Sequence, residues 1–249
     1  MALKRAALAL GALALGCGAA PLDVAERAPD PLLTGLVAHW PLDDSTGVTA
    51  TDHSGHGHDG ALTGGTWIAG HFGGALHFAS GDAVSVPSFP AAASSWTVAL
   101  WARPPSGDFG DDYLTLISTE LVFTGGWQMN VTLSPAGSSY EFAYWIGPGD
   151  SDYAYLDCDC VDVDLWTHLA ATLDSAAGLL SFYKNGALQM TLSTARTILP
   201  GSPTLFMGRW HDADRLYVGD LDDIAIYDHA LGTADVARLA TSAVPENSP

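Results

Sequence analysis

The stretch from Gly219 to Leu239 carries the clearest alternation of apolar and polar positions in the chain. Leu221, Ala225 and Tyr227 alternate with Asp222, Ile224, Ile226 and Asp228. That period of two, with apolar residues on both faces, predicts a strand covered on two sides. Asp228-His229-Ala230-Leu231-Gly232 breaks the pattern, Thr233 is a good N-cap, and Ala234 to Ala240 supplies one or two helical turns. Upstream, short apolar runs recur: Leu36 to Asp43, Gly73 to Phe78, Asp82 to Val86, Trp96 to Arg103, Leu114 to Ser118, Trp127 to Leu133 and Tyr140 to Ile146. Trp166 to Leu173, Leu179 to Tyr183, Ala187 to Leu192, Thr204 to Gly208 and Arg215 to Val218 continue the series. Gly, Pro, Asp and Ser separate them, and Asn185-Gly186 is a strong hairpin signal because both residues tolerate positive φ. Many short strands and almost no helix predict an all-β jelly-roll sandwich of two antiparallel sheets with a short C-terminal helix.

The first residues follow a different pattern. Lys4 and Arg5 precede the apolar run Ala6 to Gly16, which is too short to span a bilayer and reads as a targeting segment. Leu13-Ala14-Leu15-Gly16-Cys17 resembles a bacterial lipobox, with Ala14 where Leu is usual. The resemblance implies that residues 1–17 form a lipoprotein signal segment and that Cys17 is lipidated; the rival reading is an ordinary secretory signal cut after Ala20. Gly18 follows the Cys in place of the Asp that favours inner-membrane retention, so the expected location is the outer membrane or cell surface, with the membrane reached through the lipid anchor alone. Residues 18–35 contain a Pro-rich run expected to be a flexible tether, residues 36–241 the domain, and residues 242–249 a frayed tail.

Charge narrows the function classes. Lys+Arg number 9 against 28 Asp+Glu, a formal net charge of −19, which opposes binding to a phosphate backbone and so to nucleic acid. Nearly all of the acid is Asp, a turn, cap and calcium residue.

Several stretches carry a resemblance. Leu36-Val37-Ala38-His39-Trp40-Pro41-Leu42-Asp43, the loop Asp52 to Gly60, Gly73 to Phe78, Trp96 to Arg103 and the closing Tyr227-Asp228-His229-Ala230-Leu231 resemble LamG-like jelly-roll domains of the concanavalin A-like lectin/glucanase group. The resemblance covers about Leu36 to Ala240. It implies a structural calcium ion held between the first and last strands, with Asp43 and Asp222 as side-chain ligands, Asp52 as a further candidate, and the carbonyl of His58 or Gly60 completing the shell. Calcium takes such hard oxygen ligands, and the competing reading is of turn and edge carboxylates with no metal. Strand alternation further predicts that Asp222 and Asp223 point to opposite faces and do not share an ion.

Other clusters have chemistry of their own. His53, His56 and His58 could bind zinc, although their loose spacing also suits a polar loop in which His replaces the Asn of relatives. Cys158 and Cys160 could form a disulfide in an exported protein or capture a soft metal. Residues two apart on a strand stand roughly 6.6 Å apart, so the bond requires a bent backbone. Among Trp127, Tyr140, Tyr144, Trp145, Tyr153, Tyr155 and Trp210, Tyr153 and Tyr155 lie among Asp and Ser and are the ones expected to be exposed as sugar-stacking rings.

Three readings of function follow: a noncatalytic, envelope-anchored module that binds a glycan or an extracellular protein, a glycoside-active enzyme of the same fold, and a structural or adhesive protein. Glycosidases use paired carboxylates. Glu120 and Glu141 are the only Glu residues inside the domain, and neither has an acidic neighbour within two residues. The Glu-x-Asp-x-x-Glu strand of laminarinase-type relatives is missing, as are G-x-S-x-G and H-E-x-x-H, so the noncatalytic module is the reading taken forward.

Overall fold

The computed structural model describes residues 30–91, 94–107, 114–119, 125–133, 139–146, 153–194, 200–211 and 215–245, and within these only the backbone at 132–133, 139–146 and 153–160. The strands, in chain order, begin with β1 (Leu36–Trp40), β2 (Thr49–Ala50), β3 (Gly60–Thr63), β4 (Thr66–Ala69), β5 (Gly74–Phe78) and β6 (Ala83–Val86). The middle of the chain gives β7 (Trp96–Arg103), β8 (Leu114–Ser118), β9 (Trp127–Leu133), β10 (Ser139–Ile146) and β11 (Tyr153–Asp162). Then follow β12 (Thr167–Asp174), β13 (Leu179–Lys184), β14 (Ala187–Ser193), β15 (Leu205–Met207), β16 (Gly219–Tyr227) and the helix α1 (Thr233–Leu239). One sheet runs β14-β13-β12-β7-β16-β5-β4 with β1 added to β16; the other runs β11-β10-β9-β8-β15-β6-β3-β2. All pairings are antiparallel, as a jelly-roll sandwich requires.

Alternation sorts the side chains into two apolar layers. Val98, Leu100, Leu169, Ala171, Leu221, Ile224 and Ile226 face the second sheet and pack on Met129, Val131, Leu205 and Met207. The opposite face of the first sheet carries Ala99, Ala170, Ala225 and Tyr227, covered by Val236 and Leu239 of α1 and by Leu32. This second layer explains why every residue of β16 is buried, as its two-sided apolar pattern predicts. The Asn185-Gly186 turn joins β13 to β14 with φ of 49° and 76°.

The structure departs from the sequence reading at definite places. Thr233 is the first helical residue rather than the cap; Gly232 holds the cap position without a side-chain bond, and its carbonyl accepts from the Val236 N–H at 3.1 Å. Residues 215–218 form no strand, and Arg215 has φ of 51°. The Asp-rich segment 153–162 is the strand β11, paired to β10. The fold also begins before residue 36: Asp30 caps a 3-10 turn at Pro31–Leu33 and binds Arg238 of α1 at 2.7 Å. At the other end Val244, expected in the tail, is 3% exposed. Cys17 and the preceding segment lie outside the described residues.

Candidate functional site

The site forms where the strands flanking β16 change over. Along one edge, Gly219 to Leu221 pair with β5, and Ile224 to Tyr227 pair with β1. Asp222 and Asp223 occupy the gap. On the other edge Asp222 stands opposite Trp101 and Ala225 opposite Ala99, so β16 carries one residue more than β7 across this step. That β-bulge places Asp223 at φ 45°, a conformation Asp tolerates better than most residues. Leu221 and Ile224, three apart, both point inward. The two Asp residues between them therefore share the outer face, which overturns the expectation that they point apart.

Each carboxylate has a distinct partner. Asp223 Oδ1 meets His39 Nε2 at 2.6 Å, and both side chains are buried. Asp222 Oδ2 accepts the backbone N–H groups of His71 (2.6 Å) and Phe72 (2.9 Å), holding the loop that leads into β5. Asp222 Oδ1 is buried with no partner among the described residues. Burial pushes the Asp222 carboxyl up to about 7; the negative charges of Asp223 and Asp43 add to the rise, and the Phe72 and His71 N–H groups oppose it. Asp43, exposed at the end of the turn after β1, accepts from the Gly74 N–H on the other side of the same loop. The loop has no spare room: a Cβ on Gly70 would lie 1.9 Å from the Gly74 carbonyl and 2.6 Å from Asp222 Oδ2.

The remaining expected ligands belong to the neighbouring loop. Asp52 Oδ1 accepts from the His39 and Ser54 N–H groups, and Oδ2 from the Ser54 hydroxyl and the His58 N–H, at 2.8–3.0 Å. Burial alone would raise the Asp52 pKa, but these donors together hold it below the usual carboxylate range. The His58 carbonyl accepts the Trp40 indole N–H at 2.8 Å. Gly60 pairs with Ala50 and packs under Val84. Of the five residues expected around calcium, Asp43 and Asp222 thus meet at the β5 loop. Asp52, His58 and Gly60 form a second, self-satisfied cluster, tied to the first through His39. Asp43 and Asp222 are the pair suited to a hard cation: one has an unpartnered buried oxygen, and the other stands close enough to raise its pKa. Among the described residues no three His, Cys, Asp or Glu side chains form a metal-binding group.

The three loop histidines find different neighbours. His53 lies edge-on to His39, His56 stacks on His58, and His58 also packs against Phe89. Tyr153, Tyr155, Cys158 and Cys160 fall on β11, whose side chains there are outside the described residues, as are those of Glu120 and Glu141. The β10–β11 register jumps from Phe142–Leu156 to Tyr140–Val161, so the ladder is irregular across the two cysteines.

Residues with no sequence signal complete the surroundings. His71 stacks on Trp101 with centroids 3.5 Å apart, and His168 meets the same indole edge-on. Burial, reinforced by His71, pushes the His168 imidazole down to about 3, so it is neutral at pH 7. His39, Trp101 and His168 read as ordinary strand positions, and only the cross-strand register brings them to this face.

Comparison with known proteins gives a consistent result. The family model described as Concanavalin A-like lectin/glucanases superfamily matches residues 78–237, more than half of the chain. Domain 4 of AbnA, a GH43 extracellular arabinanase from Geobacillus stearothermophilus solved in complex with arabinotriose, superposes with a TM-score of 0.63 at 20% identity. That match covers 83% of this chain and 98% of that one. The binding domain of Paraclostridial Mosquitocidal Protein 1 gives 0.61 at 16% identity, covering 84% of this chain and 52% of that one. The botulinum neurotoxin serotype G binding domain gives 0.60 at 15%, covering 82% and 50%. This chain therefore spans about half the length of those two toxin domains. A search of curated protein sequences finds no match. Among the described residues no helix is long and apolar enough to cross a membrane.

Proposed function

This chain belongs to the concanavalin A-like lectin/glucanases superfamily, and on that premise we propose that it is a noncatalytic glycan-binding module, exported and anchored through a lipidated Cys17, with a structural calcium ion between Asp43 and Asp222. The observation that carries the binding role is the full-length likeness to a domain solved with arabinotriose, which covers 98% of that chain. A second reading, in which the ligand is an extracellular protein, draws on the likeness to the botulinum neurotoxin type G receptor binding domain. Support for the cation comes from the unpartnered Asp222 oxygen at a gap in the β16 ladder, where a divalent ion would neutralise a crowded pair and tie β1 to the β5 loop. Asp52 and the His58 carbonyl stay outside the shell in this reading, because protein donors already occupy them. A glycan panel run on the full chain, with product analysis, tests the role. Retention of a glycan recovered intact is expected, and shortening of a glycan abolished by Glu120→Gln or Glu141→Gln would replace the module with an enzyme. A melting midpoint unmoved between chelator and millimolar calcium would remove the ion.

A further inference from the structure

At one end of the sandwich an apolar slot of about 200 Å³ lies between the sheets, lined by Val37, Phe89, Trp96, Val98, Trp127 and Ile226. The two indoles stack with centroids 6.1 Å apart and are each 2% exposed. The lining continues to Pro90, Ala91 and Asp228, all exposed, so the slot reaches the surface. Sandwich interiors are otherwise close-packed, and an apolar cavity of about 150 Å³ already accepts a benzene-sized guest. Directly beside it a wider cleft of about 400 Å³ is lined by Gly35, Val37, His56, His58, Pro90 and Asp228. Val37, Pro90 and Asp228 belong to both hollows, and Phe89 links them again because its ring packs 5.2 Å from that of His58.

We infer that the two hollows form one site for an amphiphile: a hydroxyl-bearing sugar head in the outer cleft, against the His56 and His58 rings and the Asp228 carboxylate, and an apolar substituent of benzene size or slightly larger in the slot. The inference rests on the glycan-binding reading and narrows it from a plain glycan to a sugar carrying an alkyl, acyl or aryl group. The division of chemistry argues for this occupant. A plain oligosaccharide leaves the indole-lined slot unfilled, and a simple hydrocarbon makes no use of the imidazoles and carboxylate at its mouth. Together the hollows reach the range of about 300–1,000 Å³ usual for small-molecule sites. The site lies apart from the Asp43–Asp222 pair and includes neither carboxylate.

The test is calorimetric titration of the full chain with methyl, butyl, hexyl and octyl β-glucosides, and with 1-hexanol. Affinity is expected to rise about fourfold for each methylene that enters the slot and to level off near the hexyl chain. Hexanol is expected to bind more weakly than hexyl glucoside. Val37→Phe, which adds bulk where the hollows join, should abolish the chain-length dependence, and Asp228→Asn with His58→Ala should erase the preference for the glucoside over hexanol while keeping the dependence. Unchanged melting midpoints establish that the variants are folded. Affinity independent of chain length in the wild-type chain overturns the inference. If a glycan panel still shows retention in that case, the glycan-binding reading survives. Conversely, chain-length dependence without retention of any unsubstituted glycan would keep the slot and reject the plain-glycan reading.

Discussion

Replacing Asp222 with Asn tests the electrostatics of the β16 gap through a comparison that reverses with pH. The Asp222 carboxyl ionises near 7 in the folded chain, against a reference value of 3.8. Below pH 3.8 it is protonated in both folded and unfolded chains and stability is unaffected. Between 3.8 and about 7 the unfolded chain releases the proton while the fold retains it, so stability falls as pH rises, and above about 7 the full loss is reached. At about 1.4 kcal/mol per pH unit this amounts to at most roughly 4 kcal/mol, a large part of the roughly 5–15 kcal/mol that stabilises a typical domain. His168 works in the opposite sense. Its depressed pKa of about 3 makes stability fall as pH drops below 6.5, so the wild-type pH profile alone hides both effects. The difference between Asp222→Asn and wild type isolates the carboxylate. Asn retains an oxygen for the His71 and Phe72 N–H groups and turns its amide toward the Asp43 and Asp223 charges. In chelator, urea melts should show Asp222→Asn more stable than wild type at pH 8, by as much as roughly 4 kcal/mol, with the gap closing by pH 4. In millimolar calcium the order at pH 8 should invert, because the ion holds the wild-type carboxylate ionised without cost. An Asp222→Asn difference that is the same at pH 4 and pH 8 in chelator would refute the reasoning.

Four further substitutions and one fractionation extend the test. Asp52→Ala strands three backbone N–H groups, and should cost about 3 kcal/mol or more by denaturant titration, with no loss of the calcium response. Gly70→Ala should destabilise by more than about 2 kcal/mol through its clash with Gly74 and Asp222, whereas Gly57→Ala, at φ 76° with nothing within 4 Å, should cost only about 1 kcal/mol. His168→Phe should reduce the loss of stability between pH 6.5 and 4, read as the shift of the urea midpoint. Cys17→Ser should move the protein from the membrane to the soluble fraction, and its retention in the membrane would reject the lipid anchor.

The fold was legible because its signals are local. Period-two alternation marked β16, short apolar runs bounded by Gly, Pro, Asp and Ser marked β7 and β12, and the Asn185-Gly186 turn marked a hairpin, each readable without knowing what packs where. The short strands β2, β3 and β4 were not visible, because two to four residues within a Gly-rich stretch carry too little pattern. The site was half legible. Asp43 and Asp222 were singled out and do meet, but Asp52 was given a role its four donors leave no room for. The Asp222–Asp223 bulge was read as plain alternation, since nothing in Leu-Asp-Asp-Ile announces an extra residue. It follows from the hand-over between β5 and β1, a property of the whole sheet. The slot under Trp96 and Trp127 was hidden for a related reason: both indoles belong to strands and are buried, and the slot opens beside them where two hollows meet in the folded chain.

The central claim, a module that holds a glycan without cleaving it, is tested most directly by titrating the full chain with arabinotriose and the glycans retained on the panel, and then recovering the sugar. The account predicts saturable heat for at least one glycan and recovery of that glycan at its original length. Heat absent across the whole set, or a recovered glycan that has been shortened, would contradict it.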